Sequence, residues 1–148
     1  MKTWVGLCLL ALTGLSSCSK NAVDQAKVDH QLIQAYIQAN HLSAVKDSSG
    51  LYFQIENPGT GSAPNLQSNV TVTYTGKLLN GTVFDSESNL SVVLGNTITG
   101  WQIGLPKIKA GGSILLLIPS GLAYGPNASG AVPPNSVLVF DIKLISVQ

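Results

Sequence analysis

Between Val70 and Thr75 apolar and polar side chains take turns, with Val70, Val72 and Tyr74 set against Thr71, Thr73 and Thr75. A period of two puts the first set on one face of a strand and the threonines on the other. Asn80-Gly81 follows. A type I′ hairpin turn favours that dipeptide because both of its central residues need positive φ. The pattern predicts a hairpin whose second strand brings back Val83 and Phe84 and runs out at Asp85. Three further stretches have strand texture. LYFQIE at 51–56 is rich in aromatic and β-branched residues and is closed by Asn57-Pro58-Gly59, while SILLLIP at 113–119 is an unbroken apolar run. VLVFDIKLI at 137–145 sets Leu138, Phe140, Ile142 and Leu144 against Val137, Val139, Asp141 and Lys143. One short helix fits between strands, from Trp101 to Ile108.

The N-terminal part has another period. From Asp24 to Asn40, Val28, Leu32, Ala35, Tyr36 and Ala39 recur at steps of three and four, and Ile33 and Ile37 widen the stripe. This predicts an amphipathic helix with Asp24 suited to cap its start and Asn40 to stop it. Its polar face is rich in Gln rather than basic, which argues against a helix lying on a membrane surface. Packing on the following domain or alignment along a partner remain. Residues 43–50, SAVKDSSG, form the linker.

The first residues, MKTWVGLCLLALTGLSSCSK, carry one lysine and then a short apolar run from Val5 to Leu12. That run is too short for a permanent membrane span and has the make-up of a secretory signal. It ends in Leu15-Ser16-Ser17-Cys18, which resembles the lipobox of bacterial lipoproteins, where the cysteine becomes the lipid-bearing N-terminus. The alternative is an ordinary cleaved signal with an incidental cysteine. The lipobox reading implies an anchor on Cys18 and a place in the cell envelope, on the outer membrane facing the periplasm. The expected organisation is a signal at 1–17, a helix and linker at 18–49, and a β-rich domain at 50–148. The fold class is α+β: an antiparallel sheet wrapped around one short helix, preceded by an N-terminal helix.

Composition removes most chemistries. Charged residues make up 10% of the chain, net charge is +1 and there is no arginine, so neither a nucleic-acid footprint nor bidentate phosphate recognition is expected. The only cysteines are Cys8 and Cys18, which leaves no disulfide after processing. His30 and His41 lie in or beside the N-terminal helix, so the β-rich domain has neither imidazole nor thiol for Ser-His or Cys-His catalysis or for a metal site. Its carboxylates are Glu56, Asp85, Glu87 and Asp141. Asp85 and Glu87 lack the polar, sugar-binding surroundings of a glycosidase pair, and Gly111-Gly112 lacks the Lys-Ser/Thr ending of a phosphate loop. Four Asn-X-Ser/Thr triplets, at Asn69, Asn80, Asn89 and Asn127, are read as chance. What remains is a reaction without nucleophile, acid–base pair, metal or cofactor. Rotation about an X-Pro bond is one: its barrier is lost amide resonance, about 18–20 kcal/mol.

From Gly50 to Gln148 the chain resembles the FKBP-type peptidyl-prolyl cis-trans isomerases. The resemblance rests on VTVTYTG at 70–76, NGTVFDS at 80–86, LG at 94–95, ITGWQIGLP at 98–106, IPSGLAYG at 118–125 and VPPNSVLVFDI at 132–142, in register. It implies the half-barrel of that family, with Trp101 as the floor beneath a substrate proline. Tyr74, Phe84 and Phe140 would be aromatic walls, and Val132 and Ile98 apolar lining. The Ile98 N–H and the Tyr124 hydroxyl would hold substrate carbonyls, and Asp85 would be a polar contact near the rotating bond or an organiser of the pocket. Taken singly, each ring reads as a core residue; their joint spacing favours a site. Leu90 stands where the family often has an aromatic. The segment from Asp85 to Leu94 is short and lacks the arginine that often pairs with the aspartate, leaving Asp85 to Tyr74, to backbone donors or to solvent. The run from Gly95 to Ile98 is also short, and PNASGA at 126–131 has small residues where bulkier ones are common. The implied function is isomerisation of X-Pro bonds in folding envelope proteins, with proline-containing polypeptides and the family's macrolide inhibitors as partners. The alternative is a non-catalytic binding or scaffold module using the same groove.

Overall fold

The computed structural model describes residues 17–148, with side chains from Asp24 onward. Helix α1 (Ser17–Ala39) leads into strands β1 (Val45–Lys46), β2 (Tyr52–Asn57), β3 (Asn69–Leu78) and β4 (Val83–Val93). Helix α2 (Thr99–Gly104), β5 (Ser113–Ile118) and β6 (Leu138–Val147) follow. All six strands pair antiparallel in the order β1-β2-β5-β6-β3-β4. The expected α+β class and the sheet around one short helix are what the chain forms. The predicted signal segment up to Ser16 lies outside the described residues, as does the side chain of Cys18.

The sheet buries one face against α2. Val70, Val72 and Tyr74 of β3 and Leu138, Phe140, Ile142 and Leu144 of β6 point into this core, joined by Ile114, Leu116 and Ile118 of β5. The predicted alternation therefore holds in both strands. Helix α2 reaches the sheet closely because Gly100 and Gly104 face it. A Cβ on Gly100 would lie 2.5 Å from Ile118 Cγ2, and one on Gly104 would lie 2.7 Å from both Leu116 δ-carbons. The helix is shorter than the predicted 101–108. Leu105 keeps α geometry (φ −63°, ψ −34°), but Pro106 has no N–H to continue the α ladder, and Leu105–Lys107 closes as a 3₁₀ turn.

On the opposite face α1 covers a second cluster of Tyr52, Leu117, Val137 and Val139. Here the structure corrects the predicted apolar stripe. Ile33 is fully buried and Tyr36 and Ile37 pack against the cluster, whereas Val28 and Leu32 are exposed. The docked face is turned by one residue and includes the carboxylate of Asp29. Helix α1 also begins at Ser17, so Asp24 lies within it and does not cap it. His30 stacks on Tyr52 at 5.8 Å between ring centroids, its Nδ1 bonded to the Tyr52 hydroxyl, which also accepts from Gln34 Nε2 at 3.2 Å. Lys107 Nζ joins Asp47 Oδ2 at 2.6 Å and lies 4.6 Å from the Phe53 ring centroid, tying the turn after β1 to the segment after α2.

Two further expectations change in the β3–β4 hairpin. The turn is where Asn80-Gly81 predicts it, but only Gly81 takes positive φ (87°), so the turn is not type I′. Gly81 N–H donates to Leu78 O, and the Thr82 N–H donates to Asn80 Oδ1, an Asx-type closure. The second strand also continues through Asp85 to Val93. Its register against β3 slips between Glu87 and Leu90, where Asn89 has φ of 58° and donates its N–H to Thr73 Oγ1. This bulge adds twist to a polar strand at the sheet edge.

Candidate active site

The site is built from three neighbouring strands and the start of α2. Gly76 of β3 pairs with Phe140 on one side and Asp85 on the other. A Cβ at Gly76 would lie 2.7 Å from Phe84 Cζ and 2.8 Å from Phe140 Cε1. The glycine that ends VTVTYTG thus gives the two rings room to cross β3. Phe140 then meets Trp101 edge-on, with centroids 5.3 Å apart and an interplanar angle of 86°. Tyr74 meets Trp101 at 5.0 Å and 81°, and Phe84 meets Phe140 at 5.5 Å and 87°. Edge-to-face contacts of this kind add about 0.5–1.5 kcal/mol each beyond burial and fix ring orientation. The Trp101 indole N–H is buried and has no hydrogen-bond partner among the described residues.

Three of these rings close the base of a cleft of about 390 Å³. Tyr74, Trp101 and Phe140 line it, with Leu90, Ile98 and Tyr124 around them and Asp85 at the rim. Phe84 and Val132 do not line it. Phe84 packs behind Phe140, and Val132 is buried in the same apolar core. Their predicted wall and lining positions are therefore one layer back. Val92, Asn96 and Thr97 also line the cleft, and sequence reading missed them. Val92 had a signal, since it follows Leu90 at strand spacing.

The Tyr74 hydroxyl donates to Asp85 Oδ2 at 2.6 Å, and the carboxylate is otherwise exposed. Burial, reinforced by that hydrogen bond, pushes the Tyr74 phenol well above its ordinary range. It stays protonated and keeps its O–H to donate to the carboxylate, so a neutral hydroxyl takes the place of a guanidinium. The short run before α2 is also tied. Gln102 Nε2 donates to Gly95 O at 3.1 Å and Thr97 O at 2.7 Å, and Thr97 Oγ1 donates to Leu94 O at 2.7 Å. Ile98 O receives the N–H groups of Trp101 and Gln102, which sets the first turn of α2 under the cleft.

A larger cavity, about 780 Å³, lies between α1 and the loop after β5. Size alone does not make it the reactive site. Pro119, Leu122 and Pro126 line it beside Asp29, His30 and Tyr52; its two rings stack on each other, and it has no edge-to-face set like that of Tyr74, Trp101 and Phe140.

The family model described as FKBP-type peptidyl-prolyl cis-trans isomerase matches residues 61–145. The chain belongs to that family. The FKBP-type isomerase FkpA of Buchnera aphidicola (subsp. Schizaphis graminum) is 37% identical over 92% of this chain and 60% of its own. FkpA of Escherichia coli K12 is 44% identical over 68% of this chain and 39% of its own. Among solved structures, the crystal structure of Escherichia coli FkpA superposes with a TM-score of 0.75 at 37% identity, covering 88% of this chain and 63% of that one. A Pseudomonas syringae peptidyl-prolyl cis-trans isomerase gives 0.74 at 28% identity, covering 91% and 99%. The chain spans about half the length of the curated FKBP-type relatives it matches. The cleft, Asp85 at its rim included, lies wholly within the matched residues.

Proposed function

We propose that this protein is a peptidyl-prolyl cis-trans isomerase that rotates X-Pro bonds over the Trp101 floor. The observation that carries the reading is the set of Tyr74, Trp101 and Phe140 locked edge to face beneath one cleft, with a pinned carboxylate at its rim. Uncatalysed rotation takes roughly 10–100 s. A ten-thousand-fold acceleration requires about 5–6 kcal/mol of transition-state preference. A twisted amide is less dipolar than a planar one, so an aromatic base that excludes water favours it. The Tyr124 hydroxyl and the Ile98 N–H hold the flanking carbonyls, and Asp85 orients the peptide without acting as a general base. Macrolide inhibitors of the family occupy the same cleft. The clients are proline-containing envelope polypeptides, met by a protein anchored through lipid on Cys18.

A protease-coupled assay on a proline peptide tests the activity. Trp101→Ala is expected to lose most of the rate and a macrolide to inhibit the rest. Wild-type turnover no faster than that of Trp101→Ala would overturn the reading and leave a binding module. Incorporation of labelled fatty acid in a bacterial host, lost in Cys18→Ser, tests the anchor separately.

A further inference from the structure

We infer that Asp29, on helix α1, is a positioning residue for the cleft and acts through the turn that carries Tyr124. Asp29 is 1% exposed, and its carboxylate is fully engaged. Oδ2 accepts the Ser120 N–H at 2.8 Å and the Ser120 hydroxyl at 2.6 Å, and Oδ1 accepts Gln25 Nε2 at 2.8 Å. A carboxylate is costly to bury, and satisfying it with donors from a residue 91 positions away fixes that residue in place. Ser120 is the hub of the next turn. Its carbonyl accepts the N–H groups of Ala123 at 3.0 Å and Gly125 at 2.8 Å, and Gly125 O in turn accepts the Asn135 N–H at 2.7 Å. Tyr124 stands between Ala123 and Gly125. It is exposed and lines the cleft, so its direction is set by this hydrogen-bonded turn and not by burial. Helix α1 precedes the residues matched by the family model, so one wall of the cleft is held from outside that core.

The inference rests on the proposed isomerase activity, and the test separates the two. In the full chain, Asp29→Ala is expected to lower kcat/KM about tenfold, the scale of a slightly misplaced contact. Ser120→Ala, which keeps the backbone donor, should fall in the same direction by less. In a Tyr124→Phe background, Asp29→Ala should cost less than about twofold more, because the two changes act on one contact. Ile33→Ala, which weakens the docking of α1 without touching the turn, should keep kcat/KM within about twofold even where its stability loss is greater. Hydrogen exchange at the Gly125 amide should speed up in Asp29→Ala beyond the change in global stability, an outcome that needs no activity. Unchanged kcat/KM and unchanged Gly125 exchange in Asp29→Ala would overturn the positioning role. So would an equal loss in Ile33→Ala. A wild-type protein without turnover refutes the isomerase reading instead, and the exchange experiment still decides the fate of the turn.

Discussion

Gly100 gives the sharpest test of how α2 is held beneath the cleft. Replacing it with Ala adds helix propensity worth up to about 1 kcal/mol. The added Cβ would meet Ile118 Cγ2 at 2.5 Å, Cδ1 at 2.7 Å and Cγ1 at 3.0 Å. Cγ2 branches next to the β5 backbone and cannot swing aside without moving the whole fully buried side chain. Overpacking at such a site costs about 1–3 kcal/mol and therefore wins. The net expectation for Gly100→Ala is a loss of about 1–2 kcal/mol, read as a lower urea midpoint with unchanged slope. Trp101 is the next residue, so kcat/KM should fall as well. Ile118→Ala alone costs about 2–5 kcal/mol through the cavity it leaves. That cavity removes all three close atoms, so in this background Gly100→Ala should become neutral or stabilising. The sign reversal amounts to a coupling of about 2 kcal/mol. A Gly100→Ala protein with a raised midpoint, or one with the same cost in both backgrounds, would refute the idea that Gly100 sets the height of the floor.

Three other outcomes follow from the geometry. Tyr74→Phe deletes the hydroxyl that pins Asp85 and should cost about 1 kcal/mol near neutral pH. The folded-state pKa of Tyr74 is raised, so its contribution is whole below the unfolded value of about 10 and is lost as pH climbs beyond it. Wild type should therefore lose stability more steeply than Tyr74→Phe in urea titrations at pH 10–12. Asp47 is held well below the usual carboxylate range, first by its hydrogen bond with Lys107 and then by Ser49. Its stabilisation is present above about pH 4 and fades as pH falls, so an Asp47→Asn variant should differ from wild type at pH 6 and converge on it at the lowest pH at which both fold. Gly81→Ala forces an L side chain to φ of 87° in open space and should cost about 1–2 kcal/mol, seen as a lower Tm without loss of kcat/KM in the cold.

The parts of the fold legible in the sequence are those where local pattern and burial agree. Alternation along β3 and β6 is clear because each has one face in the main core. Sequence spacing likewise brings Tyr74, Trp101, Tyr124 and Phe140 to one cleft. The continuation of β4 past Asp85 was not legible. From Asp85 to Asn89 the edge strand is wet on both faces, so Ser86, Glu87, Ser88 and Asn89 read as loop, and the bulge at Asn89 separates this run from the spacing of Leu90 and Val92 beyond it. The docked face of α1 was hidden for another reason. Val28 and Leu32 form as regular a stripe as Ile33 and Ile37, and only the cluster around Tyr52 and Leu117 chooses between them. Asp29 gave no local sign at all, since its partner Ser120 is brought to it by the sheet. Phe84 and Val132 lie one layer behind their expected places, because a side chain that lines a cleft and one that backs it have the same spacing along the chain.

Among the described residues, strand β4 is at once the rim of the cleft and the unpaired edge of the sheet. A chain bound at the aromatic base, as the proposed function requires, would lie beside this edge, the setting in which a passing segment could be annexed as a seventh strand. Two features of the edge oppose this. Asp85 and Glu87 place like charges along it, and the bulge at Asn89 breaks the straight run of hydrogen-bonding groups. On the proposed function, the same strand would offer a client's proline to the rings while refusing the client's backbone.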